Sequence, residues 1–136
     1  MDKVIFACVH SAGRSQMAAA FFNRLVPPDQ ARAVSAGTEP AERVHPEVVD
    51  AMREVGYDLS AARPSLLTPE KAASATLLVT MGCGEACPYV PGLRREDWAL
   101  DDPKGRDPNE VRRIRDDIRA RVEKLVIANG WARPSS

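Results

Sequence analysis

The chain opens on an unbroken apolar run, Val4-Ile5-Phe6-Ala7, which predicts a strand over 3–8 buried on both faces. The period then changes. From Arg14 to Leu25 good helix formers carry Met17, Phe21, Phe22 and Leu25 near helical spacing, and Pro27-Pro28 stops the helix. Residues 32–36 predict a short strand ended by Gly37, and Pro46 suits the first turn of a helix running to about Val55 with Gly56 as its cap. Between Ser65 and Ser74 a loop leads into a short helix, with Thr68 as N-cap and Pro69 at its first position. The β-branched run 76–81 predicts a central strand, and 82–96, rich in Gly, Pro and charge, a loop. Asp97-Trp98-Ala99-Leu100 is read as a short last strand. The longest helix is predicted over 108–128, where Val111, Ile114, Ile118, Val122, Leu125 and Val126 form one apolar stripe. Arg133-Pro134-Ser135-Ser136 is expected to fray.

Strands alternating with helices imply βαβ units: an α/β fold with a parallel sheet and helices on both faces. Ligands of such sheets sit beyond the carboxyl ends of the strands, which gathers Cys8, the start of the 82–96 loop and the segment after Leu100 at one edge. With 136 residues, a single domain spanning 1–136 is expected. The formal net charge is zero and no basic stripe stands out, which argues against nucleic acid as a partner. No apolar run is long enough to span a membrane and no signal-like segment opens the chain, so a cytoplasmic location is expected. Trp98 and Trp131 read as packing residues. The Arg112, Arg113, Arg115, Asp116 and Asp117 cluster reads as a solvated helix face.

Candidate chemistry concentrates where the first strand ends. Cys8-Val9-His10-Ser11-Ala12-Gly13-Arg14-Ser15 is a strand-to-helix turn that starts with a thiol and ends with a guanidinium. A tetrahedral oxyanion needs many converging donors, and a loop wrapping into a helix start offers free amides and the positive end of the helix dipole. Gly13 lets the backbone curl, Arg14 can grip two oxygens with its fork, and the same field favours a Cys8 thiolate as nucleophile. The hydroxyls of Ser11 and Ser15 can donate to the sulfur or cap the helix. The competing reading is a small buried cysteine beside a solvated arginine. The Cys-to-Arg-Ser spacing at a strand-to-helix turn favours the functional one.

The chain has 3 cysteines, at 8, 83 and 87. In a reducing compartment such residues are catalytic, redox or metal-binding before they are staples. Zinc is weakly supported, because only Cys83 and Cys87 form a local pair, so no metal is expected. Glycines on both sides of Cys83 allow a Cys83–Cys87 disulfide or a swing toward Cys8, and thiol–disulfide exchange could link Cys8, Cys83 and Cys87 in a relay. The alternative is two unrelated loop thiols. Asp101-Asp102-Pro103 offers a carboxyl that could protonate a leaving oxygen, but Asp before Pro is also a common turn starter, and both readings stand. His45 reads as a loop residue and His10 as part of the anion loop.

Cys8 through Ala18 resembles the low-molecular-weight tyrosine-phosphatase superfamily, and within it the chain looks most like the arsenate reductases that use this fold. Ser35-Ala36-Gly37, His45-Pro46, the strand and cysteine segment 79–88, and Trp98 with Asp101-Asp102-Pro103 carry the resemblance nearly end to end. It implies a four-stranded parallel sheet flanked by helices. It also implies roles: Cys8 attacks arsenic, Arg14 and the loop amides from Val9 to Ser15 hold the oxyanion, and Asp102 is the general acid. Cys83 would then release arsenite by attacking the Cys8 sulfur. Cys87 would resolve that disulfide, leaving Cys83–Cys87 for thioredoxin. No bound cofactor is implied, and a monomer is expected.

The chain departs from the family pattern at several positions. His10 and Ser11 stand where many members have Gly and Asn. Asn suits left-handed backbone better than Ser, so a less ordered resting loop is expected. Some members hold potassium with that Asn and a Glu at the position of Ala19, so no potassium dependence is expected. Gly13 replaces a second loop cysteine, which rules out a disulfide within the loop, and Cys83 and Cys87 lie closer than in well-known members. Three alternatives remain: a reductase using only Cys8 with mycothiol and a glutaredoxin-like partner, a tyrosine phosphatase, and a non-enzymatic arsenite or thiol sensor. Against the phosphatase, Lys104-Gly105 follow the Asp-Pro pair where an aromatic platform would be needed.

Overall fold

Strand β1 (Asp2–Cys8) runs through the middle of the sheet, hydrogen-bonded to β2 (Ala31–Gly37) on one side and β3 (Leu77–Thr80) on the other. A fourth strand, β4 (Arg94–Asp97), adds to the far side of β3, giving the all-parallel order β2-β1-β3-β4. The computed structural model describes residues 2–82 and 92–131. Between and after the strands lie α1 (Arg14–Leu25), α2 (Pro46–Arg53), α3 (Pro69–Ala73) and α4 (Pro108–Ala128). Cys8 pairs with Gly37 and Ala7 with Thr80, so the carboxyl ends of β1, β2 and β3 finish nearly level. Everything that leaves them starts from one edge, as open α/β sheets require of a ligand site.

The continuous hydrophobicity of β1 has the expected cause. Val4, Phe6 and Cys8 face the larger core, built with Met17, Phe21 and Phe22 of α1, Val48 and Met52 of α2, and Ile114, Ile118 and Val122 of α4. Ile5 and Ala7 face a smaller core with Ala36, Leu67 and Leu78, to which Ala75 beside α3 adds. Phe22 meets Phe6 edge-on at 6.0 Å and Trp131 at 5.4 Å, and Tyr57 stacks edge-on to Phe21 at 5.0 Å. Thr68 and Asp107 cap α3 and α4 by accepting from Lys71 and Glu110 backbone N–H groups, with a proline at each first position. Among the described residues no helix is long and apolar enough to cross a membrane.

Two expectations are corrected. The last strand is Arg94–Asp97, not the segment 97–100. As an edge strand β4 pairs with β3 alone and is largely exposed, so charged residues serve it. Trp98 extends the pairing by one bond, its N–H donating to Thr80 O at 2.8 Å, and then turns its ring into the core 5.8 Å from Phe6. The hydrophobic residues there are the exit from the strand.

The second correction concerns Arg115, which is buried rather than solvated. Its Nη1 donates to Ala51 O at 2.9 Å and to Glu54 Oε1 at 2.9 Å, closing the carboxyl end of α2 against α4. A guanidinium suits that place because the last carbonyls of α2 lack helical partners. Arg112 forks onto the same carboxylate at 2.9 and 2.7 Å. The Arg112 hydrogen bonds, with Arg115 behind them, hold the Glu54 carboxyl down from 4.5 to about 2. A depressed carboxyl contributes stability that is complete above its unfolded value and disappears as pH falls through its folded one. Glu54→Gln is therefore expected to flatten the pH dependence of the urea midpoint between pH 4.5 and about 2, the window of the Glu54 shift. An unchanged profile would show that the clamp adds nothing, as many exposed ion pairs do.

Candidate active site

The segment joining Cys8 to Arg14 is shaped by where its carbonyls go. Thr38 N–H donates to Cys8 O at 3.3 Å, Glu39 N–H to Val9 O at 2.8 Å, and Ala41 N–H to His10 O at 2.9 Å. The Gln16 side-chain amide donates to Ser11 O at 2.9 Å, and His45 N–H to Ala12 O at 2.9 Å. Among the described residues every peptide is trans, so each carbonyl held outward turns the next N–H the opposite way. Among the described residues no backbone N–H from Val9 to Gly13 donates to a partner within the chain. A run of backbone N–H groups curled into a helix start is an arrangement suited to an anion. Gly13 at the N-cap brings no side chain to close the end of α1. Gly37 makes the close approach possible, because a Cβ there would lie 2.6 Å from Val9 O and 2.7 Å from Ser11 N.

Cys8 closes the floor of this ring and is 2 % exposed. Its Sγ lies 2.9 Å from Ser15 Oγ, Ser15 Oγ lies 2.6 Å from Ser35 Oγ, and Ser35 Oγ lies 2.7 Å from Ser11 Oγ. Ser65 N–H donates to Ser11 Oγ at 3.3 Å, which orients the row. The Ser11 hydroxyl can then donate to Ser35, Ser35 to Ser15, and Ser15 to the sulfur, so that every proton points toward a thiolate. Ser11 holds a left-handed backbone, φ 52°, a conformation costing a non-glycine residue about 1–3 kcal/mol. Instead of the looser loop expected from a serine there, Ser11 is fully buried, with both its hydroxyl and its carbonyl bonded.

Arg14 lies across the site and is also buried. Its Nη1 donates to Leu100 O at 3.2 Å, and its Nη2 is 3.8 Å from Asp102 Oδ2. Gly82, at φ +109°, leaves room for the guanidinium, since a Cβ there would come 2.5 Å from Nη1. The two acidic candidates separate clearly. Asp101 is exposed and pairs with Arg113 at 3.1 Å, whereas Asp102 faces Arg14 and accepts from Lys104 N–H at 3.0 Å. Pro103 is buried over Gly13, whose Cβ position lies 3.1 Å from the proline ring, so the acidic segment rests directly on the loop. At the mouth, His10 Nδ1 is bonded to Glu39 O at 3.0 Å and its ring stands edge-on to His45 at 6.3 Å. Burial pushes the His45 imidazole below its ordinary pKa.

The structure thus brings the expected residues from Cys8 to Ser15 together with Asp102, also expected. Cys83 and Cys87 lie outside the described residues. Gln16, Ser35 and Ser65 were not singled out by their chemistry in the sequence. The one available signal was Gln16 itself: with Ala19, Ala20 and Asn23 it occupies a single face of α1, and that face lines a cavity of about 370 Å³ beside Ser35, Arg63 and Ser65. Together these groups can hold a tetrahedral oxyanion over a thiolate, with a carboxyl beside it to protonate a departing oxygen.

Sequence comparison fits this geometry. The profile of the family described as low molecular weight phosphotyrosine protein phosphatase matches residues 3–88. A Halobacterium salinarum chain assigned to the arsenate reductases is 42% identical over 124 residues, covering 88% of this chain and 87% of that one. Arsenate reductase 1 of Staphylococcus epidermidis is 36% identical over 127 residues, covering 90% of this chain and 94% of that one. Among solved structures, the thioredoxin-dependent arsenate reductase of Corynebacterium glutamicum superposes with a TM-score of 0.81 at 35% identity. That alignment covers 94% of this chain but 61% of the longer relative.

The hydroxyl row makes a direct prediction. The thiolate is the form that alkylates, and Ser15 is the group placed to stabilise it. Ser15→Ala should slow iodoacetamide labelling of Cys8 at neutral pH roughly tenfold. Ser35→Ala, one bond further away, should slow it less. Labelling of Ser15→Ala at the wild-type rate would show that the row does not act on the sulfur.

Proposed function

The chain belongs to the low molecular weight phosphotyrosine protein phosphatase family, and from that premise we propose that it reduces arsenate to arsenite through a covalent adduct on Cys8. The observation that carries the reading is the ring of inward-turned amides above a buried cysteine sulfur already within hydrogen-bond distance of Ser15. Arsenate fills the ring, and its charge competes for Arg14 with the Leu100 and Asp102 partners. The Cys8 thiolate attacks arsenic. An oxygen leaves as water with a proton from Asp102, forming the sulfur–arsenic bond.

The second half is reduction. Cys83 attacks the Cys8 sulfur, and the electron pair of the sulfur–arsenic bond goes to arsenic, which falls from the pentavalent to the trivalent state and leaves as arsenite. A Cys8–Cys83 disulfide remains. Cys87 attacks Cys83, frees Cys8 and leaves Cys83–Cys87, which a thioredoxin dithiol reduces. The thiols supply both electrons, so no bound cofactor is needed. The thioredoxin dependence of the Corynebacterium relative supports this donor. The competing donor is a small thiol such as mycothiol, which would require only Cys8. The protein is proposed to act in the cytoplasm as a monomer and single domain.

A weak side activity toward aryl phosphates follows from the near-identity of phosphate and arsenate. The mouth argues against phosphotyrosine as the main substrate. After Asp102-Pro103 come Lys104 and Gly105, both exposed, and the Gly105 N–H is turned to Glu47 at 3.1 Å. Among the described residues these offer no aromatic face for a substrate ring.

Three measurements test the proposal. After arsenate treatment without reductant, peptide mass spectrometry should find one disulfide, Cys83–Cys87, with Cys8 free. Cys83→Ser and Cys87→Ser should each abolish turnover with thioredoxin. If both variants turn over, or if Cys8 is found joined to an external thiol, the relay is wrong. Asp102→Asn should lower kcat for arsenate by roughly 10²-fold or more. A kcat within twofold of wild type would remove Asp102 as the acid.

A further inference from the structure

Of the carbonyls that define the anion ring, those of Cys8, Val9, His10 and Ala12 are held by backbone N–H groups of residues 38–45, which no substitution short of proline removes. The Ser11 carbonyl is held by a side chain. Gln16 is itself buried, and its amide nitrogen donates both to Ser11 O at 2.9 Å and to Arg63 O at 3.2 Å. It therefore ties the left-handed turn of the ring to the 63–65 segment, which is fastened separately. Ser65 Oγ–H donates to Ser35 O at 2.6 Å, and Gly37 N–H to Ser65 O at 2.8 Å.

The geometry points to Gln16 as a positioning residue for oxyanion binding: by holding the Ser11 carbonyl outward, it keeps the Ala12 N–H aimed into the anion ring. Gln16 bonds to neither Cys8 nor Arg14, and it stands apart from the serine row that reaches the sulfur. Its loss leaves the buried Ser11 carbonyl and the Arg63 carbonyl without this donor and frees the Ser11–Ala12 peptide to rotate. That peptide follows the one left-handed non-glycine residue among those described. The consequence falls on anion affinity and spares thiol reactivity. The inference rests on reading residues 8–15 as an anion ring, and it holds for arsenate and phosphate alike.

The test measures binding without turnover. Iodoacetamide labelling of Cys8, followed as the mass of its peptide, is recorded in rising inorganic phosphate for wild type, Gln16→Met and Asn23→Leu. Asn23 lies on the same helix and ties α1 to β2 through Ala33, at 2.9 and 2.8 Å, without touching the ring. Gln16→Met should need about tenfold more phosphate for half-protection, with its labelling rate in the absence of phosphate within twofold of wild type. Asn23→Leu should lower the melting temperature and leave half-protection unchanged. Wild-type phosphate dependence in Gln16→Met, or an equal loss in Asn23→Leu, would overturn the assignment. Hydrogen exchange by NMR on the wild-type protein gives an answer even where the methionine variant fails to fold. The Gln16 side-chain amide protons should exchange slowly, and exchange at the rate of exposed amides would equally overturn the role. Phosphate protection of wild type without arsenate reduction would remove the reductase reading and leave this one standing.

Discussion

A trans peptide cannot show its carbonyl and its N–H to the same side, and the upper edge of this sheet is arranged around that constraint. To aim a run of amides at one point, the chain must find outside partners for the carbonyls that alternate with them. Segment 38–45 supplies most of these, and it is in place because β2 ends level with β1 and Gly37 permits near-contact with the loop. The register of one strand pair therefore sets the geometry of the anion ring. The sulfur below the ring follows from the same pairing, since Cys8 is both the last residue of β1 and the partner of Gly37.

Much of this was legible in the residues. The run at 4–7 could only be a strand covered on both faces, and the α4 stripe packs as its period requires. The cysteine-to-arginine loop is likewise a local pattern whose chemistry depends on neighbours in the chain. What stayed hidden depends on partners distant in sequence. Arg115 looks like its solvated neighbours until α2 brings Ala51 and Glu54 against it. Ser35 and Ser65 look like ordinary strand and loop serines until a buried hydroxyl row gives them a direction. The misplaced last strand has a different cause: hydrophobicity marks burial, and at an edge the buried residue is the one that leaves the sheet. Asp101 and Asp102 were indistinguishable as adjacent carboxylates and are separated by which arginine each one meets.

The energetic logic of the site is that its costs are met locally. A left-handed serine and a run of amides without partners among the described residues would each weaken an ordinary loop. Here the serine is bonded on two sides, and Arg14 rests on Leu100 O and near Asp102. In the proposed complex the oxyanion would satisfy the amides and draw on the guanidinium.

The carbonyls of Cys8, Val9, His10 and Ala12 are held by main-chain N–H groups, so those bonds do not depend on which side chains the loop carries. Evolution can then vary the rim of the pocket without dismantling its floor. His10 and His45, edge-on to each other at the mouth, lie where a substitution would alter the entrance without removing those main-chain bonds. A single scaffold can in this way be handed from one oxyanion to another by a few rim substitutions, and the history of such a lineage would be written at its entrance.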